Sequence, residues 1–254
     1  MALEDIFCNS SVVFSCYDCY NKKHGEVSLL MPRRAHGSRK AEKMNVREMR
    51  NDVLGPRVVK ALESRNMEAY YVKTKEEALA KALELIPEGS SVSWGGSMSV
   101  QEIGLLDAVR AGNYEVLDRG TKETRPEQEE VMHQSLNCDV YLGSTNALSE
   151  DGILVNIDGN ANRVAAYSYG PKTVLLIVGM NKVVKTEADA MSRAKHEAAP
   201  INAQRFGIQT PCVKNGTCAD CKSPDCICCQ ILITRFSRVP KRTKVILADE
   251  DLGF

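Results

Sequence analysis

Six cysteines crowd one stretch near the C-terminal end, spaced Cys212-x5-Cys218-x2-Cys221-x4-Cys226-x-Cys228-Cys229. Two thiolates separated by two residues, as Cys218 and Cys221 are, can grip one metal from a tight turn, and flanking thiolates can close a four-sulfur shell. Cys212 and Cys228 are the partners expected to do so, leaving Cys226 and Cys229 as spares. In strand-like geometry Cys226 and Cys228 share a face and Cys229 points away. Four thiolates suit either zinc, which would make the loop a structural clip, or a [4Fe–4S] cluster, which would make it an electron relay. The spacing does not choose between them. A set of reduced, unligated thiols is the bland reading, but so many exposed thiols would be prone to oxidation. Of the ten cysteines in the chain, three lie in the first nineteen residues and only Cys138 stands alone. A disulfide framework would instead spread its cysteines through a small secreted chain. The pair Cys16-x-x-Cys19 supplies two ligands, too few for a metal site by itself.

Two further stretches have the residue types of a ligand site. In Ser93-Trp-Gly-Gly-Ser-Met-Ser-Val-Gln-Glu102, Gly95 and Gly96 let the backbone turn sharply and approach a ligand, and the Ser97 and Ser99 hydroxyls add donors for an anion. The bland reading is a tight turn followed by a capped helix, with Glu102 as capping partner of Ser99. The second stretch spans residues 144–163. It presents Thr145, Asn146, Glu150, Asp151, Asp158, Asn160, Asn162 and Arg163 from two neighbouring loops. That density of polar groups between apolar strands is costly unless paired. Turn chemistry explains the Asp-Gly and Asn residues. Arg163, just ahead of Val164-Ala-Ala, can clamp a carboxylate bidentately or pair with Asp158 or Glu150 for structure alone. The histidines offer less. His133 and His196 fall in predicted helices without a second histidine at ligand spacing, and His24 and His36 lie in the leader.

The elements that must position these groups alternate. A helix over 45–66, with Val46, Met49, Val53, Val58, Val59 and Leu62 at helical spacing, leads to a strand over 69–72. Thr74 and Glu77 form a capping box for a helix over 78–86. Strands follow over 91–94, 114–117, 140–142, 153–155 and 174–178, the last a continuous apolar run suited to a sheet covered on both faces. Pro126 sits in the first turn of a helix running to Leu136, and Thr186 starts one that Pro200 breaks or kinks. Two strands over 230–234 and 244–248 return to the sheet and pin the cysteine loop against the body. This order predicts an α/β fold with a doubly wound, mostly parallel sheet. Residues 1–43 read as a disordered leader or a misassigned start, with Met44 opening a single domain over 44–254 that includes the metal loop at 212–229.

Thirty-three basic and thirty-three acidic residues balance, which argues against an electrostatic grip on nucleic acid or an anionic membrane. No stretch approaches the roughly 18 apolar residues of a membrane span, and no secretory signal pattern opens the chain, so the expected compartment is the cytoplasm. No flavin or nicotinamide fingerprint and no nucleotide-hydrolase phosphate loop is visible.

Taken together, Trp94-Gly-Gly-Ser97 with Glu102-Ile-Gly104, Ser144-Thr-Asn-Ala147 with Glu150-Asp-Gly152, and Asp158-Gly-Asn-Ala-Asn-Arg163 resemble the LUD family, which includes the lactate-utilisation proteins B and C. Gly170-Pro171, Val178-Gly-Met-Asn-Lys182 and Ala199-Pro-Ile-Asn202 complete a resemblance covering residues 44–254. Cys212, Cys218, Cys221 and Cys228 also match the pattern expected of its cysteine-bearing members. The resemblance implies a fold like the sugar-phosphate isomerases and coenzyme A transferases. It also implies a part in oxidising L-lactate or a related 2-hydroxy acid, alongside iron–sulfur or flavin partner proteins. The extended ferredoxin portion of the B-type protein is missing, which makes this a stand-alone branch. On this reading Arg163 holds the substrate carboxylate, while Gly95, Gly96, Ser97, Thr145, Asn146, Asp158 and Asn162 surround a small anionic ligand. The alternative is an enzyme acting on a phosphosugar or coenzyme A thioester, with Glu102 or Glu150 as base or nucleophile and zinc as a clip, or a module that only binds such a ligand.

Overall fold

The computed structural model describes residues 45–254. The expectations for residues 1–43, for Cys16 and Cys19 and for His24 and His36 lie outside the described residues. Ten strands and nine α-helices are assigned among those described. Helix α1 (Val46–Ser64) precedes β1 (Glu68–Val72), α2 (Lys75–Leu85) and β2 (Ser91–Trp94). After them come α3 (Met98–Glu102), α4 (Leu105–Ala111), β3 (Glu115–Leu117) and α5 (Arg125–Gln134). Strands β4 (Val140–Gly143), β5 (Ala147–Ser149) and β6 (Leu154–Asp158) lead to α6 (Asn162–Ser168) and β7 (Thr173–Gly179). The remainder is β8 (Val183–Val184), α7 (Glu187–Arg193), α8 (Ala199–Ala203), α9 (Pro211–Asn215), β9 (Gln230–Thr234) and β10 (Thr243–Ala248).

Six strands form a wholly parallel sheet in the order β1-β10-β7-β4-β2-β3. The α/β class and the parallel sheet are those the sequence predicts. Side chains alternate faces along a strand, and both faces here are apolar. Val174, Leu176 and Val178 of β7 join Val245 and Leu247 of β10 on one side, packed against Leu54, Val58 and Leu62 of α1. Leu175, Ile177, Ile246 and Ala248 take the other side, against Ala78 and Ala82 of α2 and Leu105 and Val109 of α4. The apolar start of α1 does not share in this core, because Val46, Met49 and Val53 are exposed.

Four further local expectations are corrected. There are two sheets: β8-β5-β6-β9 form a smaller mixed one, with β5–β6 and β6–β9 antiparallel. The last two strands therefore part company, β9 joining the small sheet and β10 the centre of the large one. Ser97, not Ser99, caps α3 by accepting from the Val100 amide, and Ser99 lies inside the helix. Thr74 caps α2 as expected, but Glu77 accepts from the Lys73 amide, one residue before the capping position. Near Pro200 the chain does not break. It passes from α7 through one wider turn (Ala194–Ala198) into α8, so the irregular turn relieves the ring. Among the described residues, no helix is long and apolar enough to cross a membrane.

Helix α6 packs tightly against the end of β4. A Cβ on Gly143 would stand 2.0 Å from the Tyr167 hydroxyl, which bonds both the amide and the carbonyl of Ser144. Gly143→Ala is expected to displace Tyr167 and to cost about 1–3 kcal/mol by overpacking. Urea unfolding would show this as a lower midpoint at unchanged slope.

Candidate functional site

Beyond the C-terminal ends of β2 and β4, where open α/β sheets carry their ligands, lies a cavity of about 760 Å³. The glycine turn (Gly95, Gly96, Ser97) forms one wall. The β4–β5 connection contributes Thr145 and Asn146, and the β6–α6 loop contributes Asp158, Asn162 and Arg163. All eight residues expected to bind a ligand thus line a single space. Glu102 and Glu150, expected as base or nucleophile, are not among the lining residues. Glu102 accepts from the Gly253 amide at 2.7 Å and Glu150 pairs with Lys185 at 2.7 Å. His133 and His196 are exposed on their helices.

Arg163 is the hub of the polar walls. Its guanidinium donates to Asn156 Oδ1 at 3.0 Å, to Asn146 Oδ1 at 3.1 Å, and to the carbonyls of Ser144 and Ile157. Asp158 lies 3.7 Å from its Nε and also accepts the amides of Arg163 and Val164. The Arg163 stem packs under Gly95, where a Cβ would meet it at 3.1 Å. Between the two readings of Arg163, these contacts describe a side chain already engaged by its own protein. A side chain on the turn glycine would crowd the arginine stem.

Unanticipated from sequence is Lys182. It follows β7 in a short turn and is 3% exposed, and its Nζ donates to Ser99 Oγ at 2.8 Å and Ser144 Oγ at 3.0 Å. Among the described residues it has no carboxylate within ion-pair distance. Burial, then the charge of Arg193, push its ammonium down to about 7; Glu102 pulls the other way, and Arg163 adds a smaller push down. The quoted stretch Val178-Gly-Met-Asn-Lys182 contained it, but a lysine ahead of Val183 and Val184 reads as an ordinary strand-end residue. Arg119, Arg125 and Arg205 also reach the cavity. With Arg163 and Lys182 they make five basic side chains against two acidic ones, Asp158 and Asp225, so the space favours an anion.

The cysteine loop closes the same cavity. Cys226 and Ile227 line it, and they also line a second space of about 90 Å³ ringed by Cys212, Cys218, Cys221 and Cys228. Cys229 is exposed and lies outside that ring. A Cβ on Gly159 would stand 3.1 Å from Ile227 Cα, so the polar loop and the cysteine loop meet backbone to backbone. Burial, and then the neighbouring Cys226, Cys218 and Cys212, push the Cys228 thiol up to about 12. Among the described residues no three cysteine, histidine or acidic side chains are drawn in closely enough to hold a metal ion as they stand. The thiols surround a space, not a point.

A family model described as the LUD domain matches residues 56–248. This chain belongs to the LUD domain family. The family is associated with lactate utilisation in general. Similar solved structures include a DUF162 family protein from Deinococcus radiodurans, at 15% identity over 78% of this chain and 98% of that one, with a TM-score of 0.45. The eIF2B beta protein from Chaetomium thermophilum shares 16% identity over 45% of this chain and 44% of its own, with a TM-score of 0.33. Ribose 5-phosphate isomerase from Plasmodium falciparum shares 14% over 44% and 52%, with a TM-score of 0.27. No curated protein matches the chain. In this LUD domain the cavity walls are held by Arg163, and its removal tests which reading of that residue is right. Arg163→Met takes the guanidinium from Asn156 Oδ1 and the Ile157 carbonyl, removes one of two donors from Asn146 Oδ1 and the Ser144 carbonyl, and is expected to cost about 3–5 kcal/mol. A melt and a urea titration would show the loss. A residue that only clamps ligand would leave both unchanged.

Proposed function

We propose that this LUD protein is a redox component in the oxidation of L-lactate or a related 2-hydroxy acid, working with iron–sulfur or flavin partner proteins. The observation that carries this reading is the shared wall, since Cys226 and Ile227 separate the basic cavity from the thiol-ringed space. The substrate carboxylate goes to Arg119 and Arg205, which face the cavity and have no carboxylate partner among the described residues. Arg163 keeps the loops in place around it. The cavity exceeds what a three-carbon acid fills, which leaves room for a partner's redox group to reach the same walls.

The thiols fit a four-thiolate centre. Cys212, Cys218, Cys221 and Cys228 would hold it, with Cys226 the fifth thiol at its edge. The space they ring measures about 90 Å³. Four thiolates suit zinc or an iron–sulfur cluster, and the redox reading calls for the cluster. Such a cluster, when bound, supplies one-electron chemistry.

Protein purified without oxygen is expected to be coloured and to contain about four irons with matching sulfide per chain. Serine at Cys212, Cys218, Cys221 or Cys228 should abolish this, and Cys229→Ser should leave it intact. Stoichiometric zinc in a colourless protein would sink the redox reading.

A further inference from the structure

We propose that Ser144 and Lys182 form a nucleophile–base pair, giving the cavity an acyl-transfer activity toward an ester or thioester that carries an anionic group. The directions of the hydrogen bonds support it. Ser99 Oγ lies 3.1 Å from the Leu252 carbonyl, which can only accept, so the single Ser99 hydroxyl hydrogen points there. Ser99 must therefore accept from Lys182 Nζ, 2.8 Å away. The Ser144 hydroxyl has two acceptors in reach, the Thr145 carbonyl at 3.4 Å and, once Lys182 is neutral, Nζ at the shorter 3.0 Å, so with the amine deprotonated the closer link runs from hydroxyl to Nζ. That is the direction in which an amine activates a serine.

Position and environment agree. Ser144 follows Gly143 at the C-terminal end of a central strand, its amide and carbonyl both clamped by the Tyr167 hydroxyl. Ser144 and Lys182 both line the 760 Å³ cavity. The groups around the amine are Arg193, Arg163 and Glu102, and burial outweighs them all in favouring its neutral form. Arg193 is itself held by the carbonyls of Asn146 and Asn181 and by Glu197, so it stays beside the lysine as a fixed charge.

In the reaction, Ser144 Oγ attacks the acyl carbon and its proton passes to Lys182 Nζ. The C–O or C–S bond to the leaving group then breaks, and that group takes the proton from the ammonium. Water, deprotonated by the same amine, attacks the Ser144 ester and releases the acid, which restores the hydroxyl. Ser99 is a positioning residue that holds the amine.

The test is covalent labelling of the folded protein with a fluorophosphonate, located by peptide mass mapping. One adduct on Ser144 is expected, absent in Ser144→Ala and formed about 100-fold or more slowly in Lys182→Met and Lys182→Arg. Melting curves identify which lysine variants fold. The wild-type labelling rate should rise with pH around a midpoint near 7. Ser99→Ala removes an acceptor of the ammonium, so it should move that midpoint lower. Absence of a Ser144 adduct in folded wild-type protein overturns the proposal, as does wild-type labelling of Ser144 in a folded lysine variant. Neither result depends on iron content, so this proposal and the redox reading fail separately.

Discussion

A buried guanidinium must find acceptors, and the shape of the cavity follows from where Arg163 finds them. Its partners come from the end of β4, the β4–β5 connection and β6 itself. One side chain thereby ties the large sheet to the small one at the point where their loops converge. Neighbouring residue choices follow from that tie. A Cβ on Gly95 would crowd the arginine stem, and Asp158 stands near Nε while also accepting first-turn amides of the next helix. Unpaired, the same charge would be among the most costly groups to bury. Part of the polar density between residues 144 and 163, namely Asn146, Asn156 and Asp158, is therefore the partner set of one cation, while Glu150 and Asp151 pair with Lys185 and Arg65.

This changes how a substrate is held. A clamp already engaged by its own protein offers few free hydrogens to a ligand. Charge for an anion comes instead from the rim, where Arg119, Arg125 and Arg205 enter from α5 and from the turns flanking α5 and α8. Lys182 differs from both groups. It is as buried as a core residue, yet its polar partners are two hydroxyls and not a carboxylate. Hydroxyls satisfy an amine in either protonation state, whereas a carboxylate would hold it charged. The choice of partner thus leaves the proton mobile.

The large sheet was readable from sequence because its central strands are long enough to show a pattern. The apolar runs at 174–178 and 245–248 declare faces covered on both sides, and the observed strands extend them by a residue or two. Strands β5 and β8 span three and two residues, too few for a period to appear, so the second sheet was hidden. The glycine turn and the polar loops were readable as a site because side-chain type betrays polarity near apolar strands. Their meeting with Lys182, Arg119 and Arg205 was not, since those contacts span dozens of residues and depend on strand order. Ser99 shows the limit from the other side. Its spacing to Glu102 fits a capping box, but its hydroxyl serves the residue 252 carbonyl and the lysine amine.

Charge balance explains why the two spaces can lie side by side. Four metal-bound thiolates and a carboxylate substrate would place negative charge on both faces of the thin wall at Cys226 and Ile227. Like charges at such range repel strongly in a medium poorer in water than bulk solvent. The surplus of basic side chains in the cavity offsets that repulsion. Because the whole chain is formally neutral, this surplus is a local concentration and not an overall bias. Gly159 also packs directly on the Ile227 backbone, where a Cβ would stand 3.1 Å from Cα, so the loop bearing Asp158 abuts the cysteine loop. On the proposed reading, a centre at the thiols and an anion in the cavity would feel each other's charge across this wall, and any such coupling is reciprocal.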